Sequence, residues 1–314
     1  MKLTVLIPAL NEEDNIEETI RETTSIIKEI REIESYNIIV VDDHSADSTF
    51  KTVADLKEEN VVCLRLSRRG GSHTALRTGL SQVSSDAALC ISADGQDDLS
   101  CLKEMILKWK CGAKIVWALR RKRTNEPFTY KILAKLFYII LGRITDNKVS
   151  GIDQSRADFF LLDKLVINAV NRCGENITSL FGLLIWLGFE QDYVEYERRV
   201  RRHGKSKWGI TGSFRMVKMW IIAFSGVPLK IMLPFGFIVS VSGLFFAVRI
   251  IYNVFFGPSV PVGWSSIMVA ILVIGGIQMM MLGLLGEYLW RNLEESRRRP
   301  VFFIEKRSDG KKIK

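Results

Sequence analysis

Two apolar stretches near the carboxyl end restrict this chain more than any other feature. Leu229 to Phe256 is apolar apart from Lys230, Arg249 and a few small polar residues, and Trp264 to Trp290 apart from Ser265, Ser266, Gln278 and Glu287. Each runs for about 27 residues, roughly 40 Å as helix, enough to cross a bilayer with some tilt. The plain alternative is a pair of buried helices in a soluble core. The connecting loop, Gly257–Gly263, carries no charge, whereas beyond Trp290 nine Lys or Arg stand against four Asp or Glu. Positive charge on both flanks and none between them predicts an integral protein of the cytoplasmic membrane, a helical hairpin with the preceding region and both termini on the cytoplasmic side. In that arrangement Arg249 lies toward the outer leaflet, where its long side chain snorkels.

The first 200 residues follow another pattern. Short apolar runs at Leu3–Ile7, Ile38–Val41, Val61–Leu66, Ala87–Ile91 and Lys114–Leu119 read as strands. Glu12–Ile30, Ser48–Glu59, Ser72–Val83 and Leu99–Lys110 have helical spacing, with Asp47 and Ser48 as helix caps. Strand and helix in alternation predict an α/β domain built on a largely parallel sheet covered on both faces. The expected division is a domain over residues 1–209, an amphipathic juxtamembrane helix over 210–228, the hairpin over 229–290 (spans 229–256 and 264–290) and a basic tail over 291–314. Tyr130–Ile144 and Ile210–Phe224 mix apolar faces with Lys or Arg and suit either membrane-surface helices or ordinary core helices.

In a parallel sheet the carboxyl ends of the strands share one edge, where open α/β folds bind ligands. The fourth run ends in Ser92-Ala93-Asp94-Gly95-Gln96-Asp97, rich in hard oxygen donors that suit Mg²⁺ or Mn²⁺ on a nucleotide diphosphate. The first run ends in Pro8-Ala9-Leu10-Asn11-Glu12-Glu13 and the second in Val41-Asp42-Asp43-His44-Ser45. Carboxylates there suit a nucleoside's ring N–H or ribose hydroxyls, and equally a helix N-terminus. Neither a phosphate-binding P-loop nor a Gly-x-Gly-x-x-Gly after the first strand is present, so a diphosphate falls to metal and basic side chains. Two basic clusters are available: Arg120 to Arg123, and Arg198, Arg199, Arg201, Arg202, Lys205 and Lys207. The second lies shortly before the hairpin and suits a substrate phosphate or anionic lipid.

The net charge of +9 points to an anionic partner. Nucleic acid is disfavoured, because the basic residues gather beside the hairpin. Five scattered cysteines without a Cys-x-x-Cys pair argue against a disulfide framework or zinc site and for a reducing compartment.

The stretches Ile7-Pro8-Ala9-Leu10-Asn11-Glu12-Glu13, Val40-Val41-Asp42-Asp43, Ala93-Asp94-Gly95-Gln96-Asp97, Ala157-Asp158-Phe159, Trp186-Leu187-Gly188-Phe189, Gly204-Lys205-Ser206-Lys207-Trp208 and Leu285-Gly286-Glu287-Tyr288-Leu289 together resemble the family 2 glycosyltransferases that act on polyprenyl phosphates, such as bactoprenol glucosyltransferases and dolichyl-phosphate mannose synthases. The resemblance implies a GT-A (Rossmann-like) nucleotide-sugar-binding domain followed by a two-helix transmembrane hairpin. It implies inverting transfer of a sugar, by default glucose from UDP-glucose, to polyprenyl (undecaprenyl) phosphate. It assigns Pro8, Ala9, Asn11, Glu12 and Asp42 to the nucleotide, Asp94 and Gln96 to Mg²⁺ or Mn²⁺, and Arg120, Arg201 and Lys207 to phosphates. Asp94, Asp158 and Arg120 are the catalytic candidates, and a homo-oligomer, a tetramer, is implied. The sequence departs from the family pattern at Ser92, Gly95, Asp98-Leu99-Ser100, Phe160 and Arg69-Gly70-Gly71, which leaves the donor open among glucose, mannose and aminosugars. Two rival readings are a processive polysaccharide synthase, whose Gln-x-x-Arg-Trp segment is absent here, and a membrane-tethered binding protein with a degenerate transferase domain.

Overall fold

The computed structural model describes residues 1–121, 156–174, 179–199, 227–256, 263–297 and 299–311. Chain contacts divide it into two units, Met1–Phe214 with Pro300–Lys314, and Arg215–Arg299.

The first unit contains the strands β1 (Lys2–Ala9), β2 (Ser35–Asp42), β3 (Val61–Leu66), β4 (Ala87–Cys90), β5 (Ile115–Arg120), β6 (Ala157–Asp163), β7 (Gln191–Tyr196) and β8 (Ile304–Arg307). Its helices are α1 (Ile16–Glu29), α2 (Thr49–Asp55), α3 (Ser72–Ser81), α4 (Leu102–Lys110), α5 (Lys164–Arg172) and α6 (Leu180–Trp186). A short 3₁₀ turn, Leu99–Cys101, precedes α4. The strands form one sheet in the order β7-β5-β6-β4-β1-β2-β3-β8. Side chains alternate across it. Leu3, Val5, Ile7, Leu89 and Phe159 pack with α1 and α4, whereas Leu6, Val41, Leu64, Trp117 and Phe160 pack with α3, α5 and α6. This period of two lets short apolar runs fill two cores at once. Gly79 lets α3 come close to the sheet, since a Cβ there would lie 3.0 Å from Leu6 Cδ2.

The five expected strands and four expected helices are present, with the first helix starting later, at Ile16. Ser48 makes no side-chain cap, and Asp47 Oδ1 accepts the Thr49 N–H at 3.0 Å instead. The sheet is largely parallel as expected, with two exceptions that the sequence does not announce: β6 is antiparallel to both β4 and β5, and β8 is antiparallel to β3, so the sheet is mixed. β6 is buried on both faces, and its apolar residues look the same in either direction, so only its neighbours decide its polarity.

Among the described residues, the second unit has two helices, α7 (Val227–Phe256) and α8 (Trp264–Ser296). Both carry large apolar side chains facing outward, including Phe237 at 70% exposure, Leu244 at 66% and Met279 at 73%. Such a surface calls for apolar cover. Within α8, Val273–Ser296 is long and apolar enough to cross a membrane by length and composition, while Pro234–Phe246 of α7 is shorter. Among the described residues only the second expected span therefore meets that test. Tyr130–Ile144, residues 210–226 and the loop 257–262 lie outside the described residues.

Phe160 is 1% exposed, with ring centroids 5.3 Å from Trp117 and 5.4 Å from Phe181. Phe160→Ala should cost about 3–5 kcal/mol of stability. This is checked as a drop of several degrees in the thermal midpoint of the purified protein.

Candidate active site

Six parallel strands end at one edge, and β6 starts there. β1 lies between β2 and β4, so the chain winds outward in both directions and leaves a crevice at the switch point. Ala9, Asp42, Asp94, Arg120 and Asp158 all belong to this edge, Asp158 because β6 runs backwards. The expected site residues that the structure describes are thus gathered by topology alone. Arg201 and Lys207 lie outside the described residues.

On the β1–β3 side, two loops are laced together. Asp43 N–H extends the ladder to Ala9 O at 2.9 Å. Asn11 donates its N–H to Ser45 Oγ at 2.9 Å and accepts the Ala46 N–H on Oδ1 at 2.8 Å. Its φ of 50° and the 59° of His44 lie in the left-handed region, which Asn and His tolerate better than most residues. Glu12 is buried, receives Asn15 Nδ2 at 2.8 Å, and donates its N–H to Thr49 Oγ1 at 3.0 Å. Asp42 is fully buried, with Oδ1 accepting Ser45 N–H at 2.9 Å and Oδ2 accepting Arg65 Nη1 at 2.7 Å. It therefore shapes the crevice through Ser45 and Arg65. Pro8 and Ala9 supply the strand end beneath these loops.

Asp43, one of the strand-end carboxylates, turns to a different partner. Its carboxylate accepts Gly70 N–H at 2.6 Å and Gly71 N–H at 2.8 Å. Burial raises its pKa against those two hydrogen bonds. Gly71 has φ 87°, a conformation glycine adopts freely. The Gly70-Gly71 pair is thus a tight turn aimed at a carboxylate.

On the β4–β7 side, the Ser92–Asp98 loop meets the segment after β7. Ser92 Oγ lies 2.9 Å from Asp94 Oδ1 and 2.7 Å from Asp97 Oδ2. One hydroxyl is thus shared between two carboxylates. Burial lifts the Asp97 pKa to about 6, helped by the charges of Asp158 and Asp94 and opposed by two hydrogen bonds from Ser92. Gln96 is clamped. Its Oε1 accepts Arg198 Nη2 at 2.9 Å, its Nε2 donates to Arg199 O at 3.2 Å, and its carbonyl accepts Arg199 N–H at 3.0 Å. Arg199 also pairs with Glu22 and, at 2.8 Å, with Asp98.

Asp158 Oδ2 accepts Tyr196 Oη–H at 2.6 Å, and Oδ1 faces Arg198 Nη1 at 3.6 Å. Arg198 therefore bridges Asp158 and Gln96. Arg120 ends β5 in register with Tyr196, and its carbonyl accepts Arg156 Nε at 2.7 Å. Tyr196, Arg65 and the bridging role of Arg198 have no local sequence signature, since each is defined by a partner far along the chain.

Among the described residues, no three Asp, Glu, His or Cys side chains converge as a metal cage. Mg²⁺ and Mn²⁺ sites that assemble around a diphosphate need only one or two carboxylates, the remaining ligands being phosphate and water. Asp94 beside Asp97 fits that kind of site. The Gln96 amide oxygen, the other expected ligand, serves Arg198 here.

Comparison with known proteins follows the same outline. The sequence profile described as Glycosyl transferase family 2 matches residues 4–162. An uncharacterized glycosyltransferase of Synechocystis sp. is 35% identical over 97% of this chain and 95% of its own length. A bactoprenol glucosyl transferase of Shigella phage SfV is 33% identical over 97% of this chain and 98% of its own. The crystal structure of glucosyl-3-phosphoglycerate synthase from Mycobacterium tuberculosis in complex with Mn²⁺, uridine diphosphate and phosphoglyceric acid aligns with TM-score 0.50 and 18% identity, over 70% of this chain and 76% of that one.

Asp97 also yields a pH dependence. With a folded pKa of about 6 against an ordinary 3.8, it keeps its proton when the unfolded chain has lost it. Its contribution to stability is complete below the lower value and declines as pH rises to the higher one. In Asp97→Asn, the thermal midpoint should fall less between about pH 4 and about pH 6 than in the parent. Parallel profiles would mean that Asp97 is ionised throughout.

Proposed function

The chain belongs to glycosyl transferase family 2, and from that premise we propose that it transfers a hexose, glucose from UDP-glucose by default, to polyprenyl phosphate at the cytoplasmic face of a membrane. The observation that carries this reading is one sheet edge holding loops suited to a nucleoside on the β1–β3 side and the Asp94–Asp97–Asp158 group on the β4–β7 side. The full-length likeness to a bactoprenol glucosyl transferase supports the lipid acceptor. The Mn²⁺ and uridine diphosphate bound by the structurally similar synthase support a metal-assisted nucleotide donor.

In this reading, Pro8, Ala9, Asn11 and Glu12 line the nucleoside site, with Asp42 holding its loop. Asp94 holds Mg²⁺ or Mn²⁺, and Gln96 is a further ligand if Arg198 releases it. The metal supplies positive charge to the leaving diphosphate. Arg120, Arg201 and Lys207 add cationic contacts to the phosphates of donor and acceptor. The nucleophile is an oxygen of the lipid phosphate, already largely ionised near neutral pH because its second pKa is about 6. It forms a bond to the anomeric carbon as the bond to the diphosphate breaks, which inverts that centre. No strong base is required, so positioning dominates. Asp158, held by Tyr196, is placed to orient the acceptor.

The hairpin is supported by chain connectivity. β8 pairs with β3, so the chain leaves the sheet-bearing unit before α7 and rejoins it after α8. A chain that departs from and returns to one folded body crosses a membrane an even number of times. If α8 crosses, an even count calls for α7 to cross as well, which supports the hairpin. The homo-oligomer, a tetramer by family resemblance, belongs to this proposal as well.

Two experiments test the reading. Purified protein in detergent, given undecaprenyl phosphate and a panel of nucleotide sugars, should form a glucosyl phospholipid identified by mass, lost on chelation and reduced about 100-fold or more in Asp94→Asn. Near-normal transfer by that variant would remove the metal assignment, and no product from any donor would remove the reaction. For topology, Ser259→Cys in the inter-helix loop should react with a membrane-impermeant maleimide in whole cells, while the exposed native Cys111 should react only after lysis. Labelling of Cys111 in whole cells would reverse the orientation.

A further inference from the structure

Arg65 joins the donor-side loops to a segment from the other end of the chain. Its Nη1 donates to Asp42 Oδ2 at 2.7 Å, its Nη2 donates to Ser45 O at 3.0 Å, and its Nε faces Glu305 Oε2 at 3.4 Å. All three guanidinium nitrogens are engaged, which fixes the plane of the group as a single ion pair would not. Asp42 and Ser45 in turn hold Asn11 and Ala46 through Ser45 Oγ and Asn11 Oδ1. The geometry of both loops therefore passes through Arg65.

Glu305 lies on β8, after α7 and α8 in the chain, and its backbone is firmly seated. Ser67 N–H donates to Phe303 O at 2.9 Å, Ser308 N–H to Cys63 O at 3.0 Å, and Cys63 N–H to Ser308 Oγ at 2.8 Å. Phe302 and Ile304 pack on the core layer that includes Leu64 and Leu66. Arg307 closes the strand with a two-point pair to Asp309, at 3.0 and 2.8 Å.

We propose that Glu305 is a positioning residue for the nucleotide donor: it orients Arg65, Arg65 orients the Asp42–Ala46 loop, and the segment after the apolar helices thereby completes the donor half of the site. The inference rests on reading that edge as the nucleotide site. It concerns the nucleoside end of the donor, because Arg65 serves the loops of β1 and β2, while Asp158, read as orienting the acceptor, stands across the switch point. A basic tail serving only as a lipid tether would need no carboxylate aimed at Arg65.

The test uses the full-length protein in detergent, with UDP binding measured by calorimetry beside steady-state kinetics with UDP-glucose and undecaprenyl phosphate. Arg65 is 19% and Glu305 39% exposed, so the pair is partly screened and the expected effect is modest. Glu305→Gln should weaken UDP binding and raise the donor KM about three- to fivefold, with kcat and the acceptor KM within about twofold. Glu305→Asp should restore most of the loss, and Arg65→Lys, which gives up the fork, should lose more than Glu305→Gln. Unchanged UDP affinity in Glu305→Gln overturns the inference. So does a fall in kcat and thermal midpoint without a change in UDP affinity, which marks a merely structural strand. Unaltered donor binding in Arg65→Lys overturns the relay. Failure of the parent protein to bind UDP removes the underlying reading, an outcome distinct from the others.

Discussion

The direction of β6 decides the chemistry of the sheet edge. In a purely parallel arrangement Asp158 would lie at the opposite edge, far from the loop after β4. Antiparallel pairing with β4 and β5 brings the start of β6 to the edge where the other strands end. Asp158 then adds its charge to that of Asp94 around Asp97, and Tyr196 at the end of β7 reaches it. Trp117, Phe160 and Phe181 pack together beneath this arrangement, so the aromatic core and the acidic edge depend on the same strand.

Burial of so many carboxylates would destabilise the fold unless each found donors. The loops are organised around that need. Asp42 takes an amide and a guanidinium, Asp43 takes two glycine amides, and Asp97 takes the amide of Ser92 and shares its hydroxyl with Asp94. The pattern accounts for Gly70-Gly71, where amides must approach a carboxylate closely, and for Ser92, whose hydroxyl stands between two acids that would otherwise repel. Arg198 and Arg199 bring positive charge to the same loop and clamp Gln96 against the segment after β7. Carboxylates and the groups that hold them are thus interleaved along the same short loops.

The segment after α8 contributes a strand to the sheet-bearing unit rather than ending as a loose basic extension. The chain on both sides of α7 and α8 thus belongs to the sheet-bearing unit. The returning strand places Glu305 beside the loops of β1 and β2.

Much of the fold is legible in the sequence, because buried strands and amphipathic helices impose periods of two and 3.6 on apolar residues whatever the surroundings. Leu3–Ile7, Val61–Leu66 and Ser72–Val83 announce themselves in that way, and Asp94 and Asn11 stand out because acidic or amide groups directly follow apolar strands. β6 does not, because Phe159 to Leu162 reads as apolar in either direction. Tyr196, Arg198, Arg65 and Glu305 do not either, because each acts through a partner remote in the chain. The sequence by itself determined the first five strands and the four helices among them, the apolar pair near the carboxyl end and the acidic strand ends, all of which are set by local spacing. Only the tertiary structure decided the polarity of β6, the return of β8 and the three-way engagement of Arg65, because these depend on which distant segments pair in space.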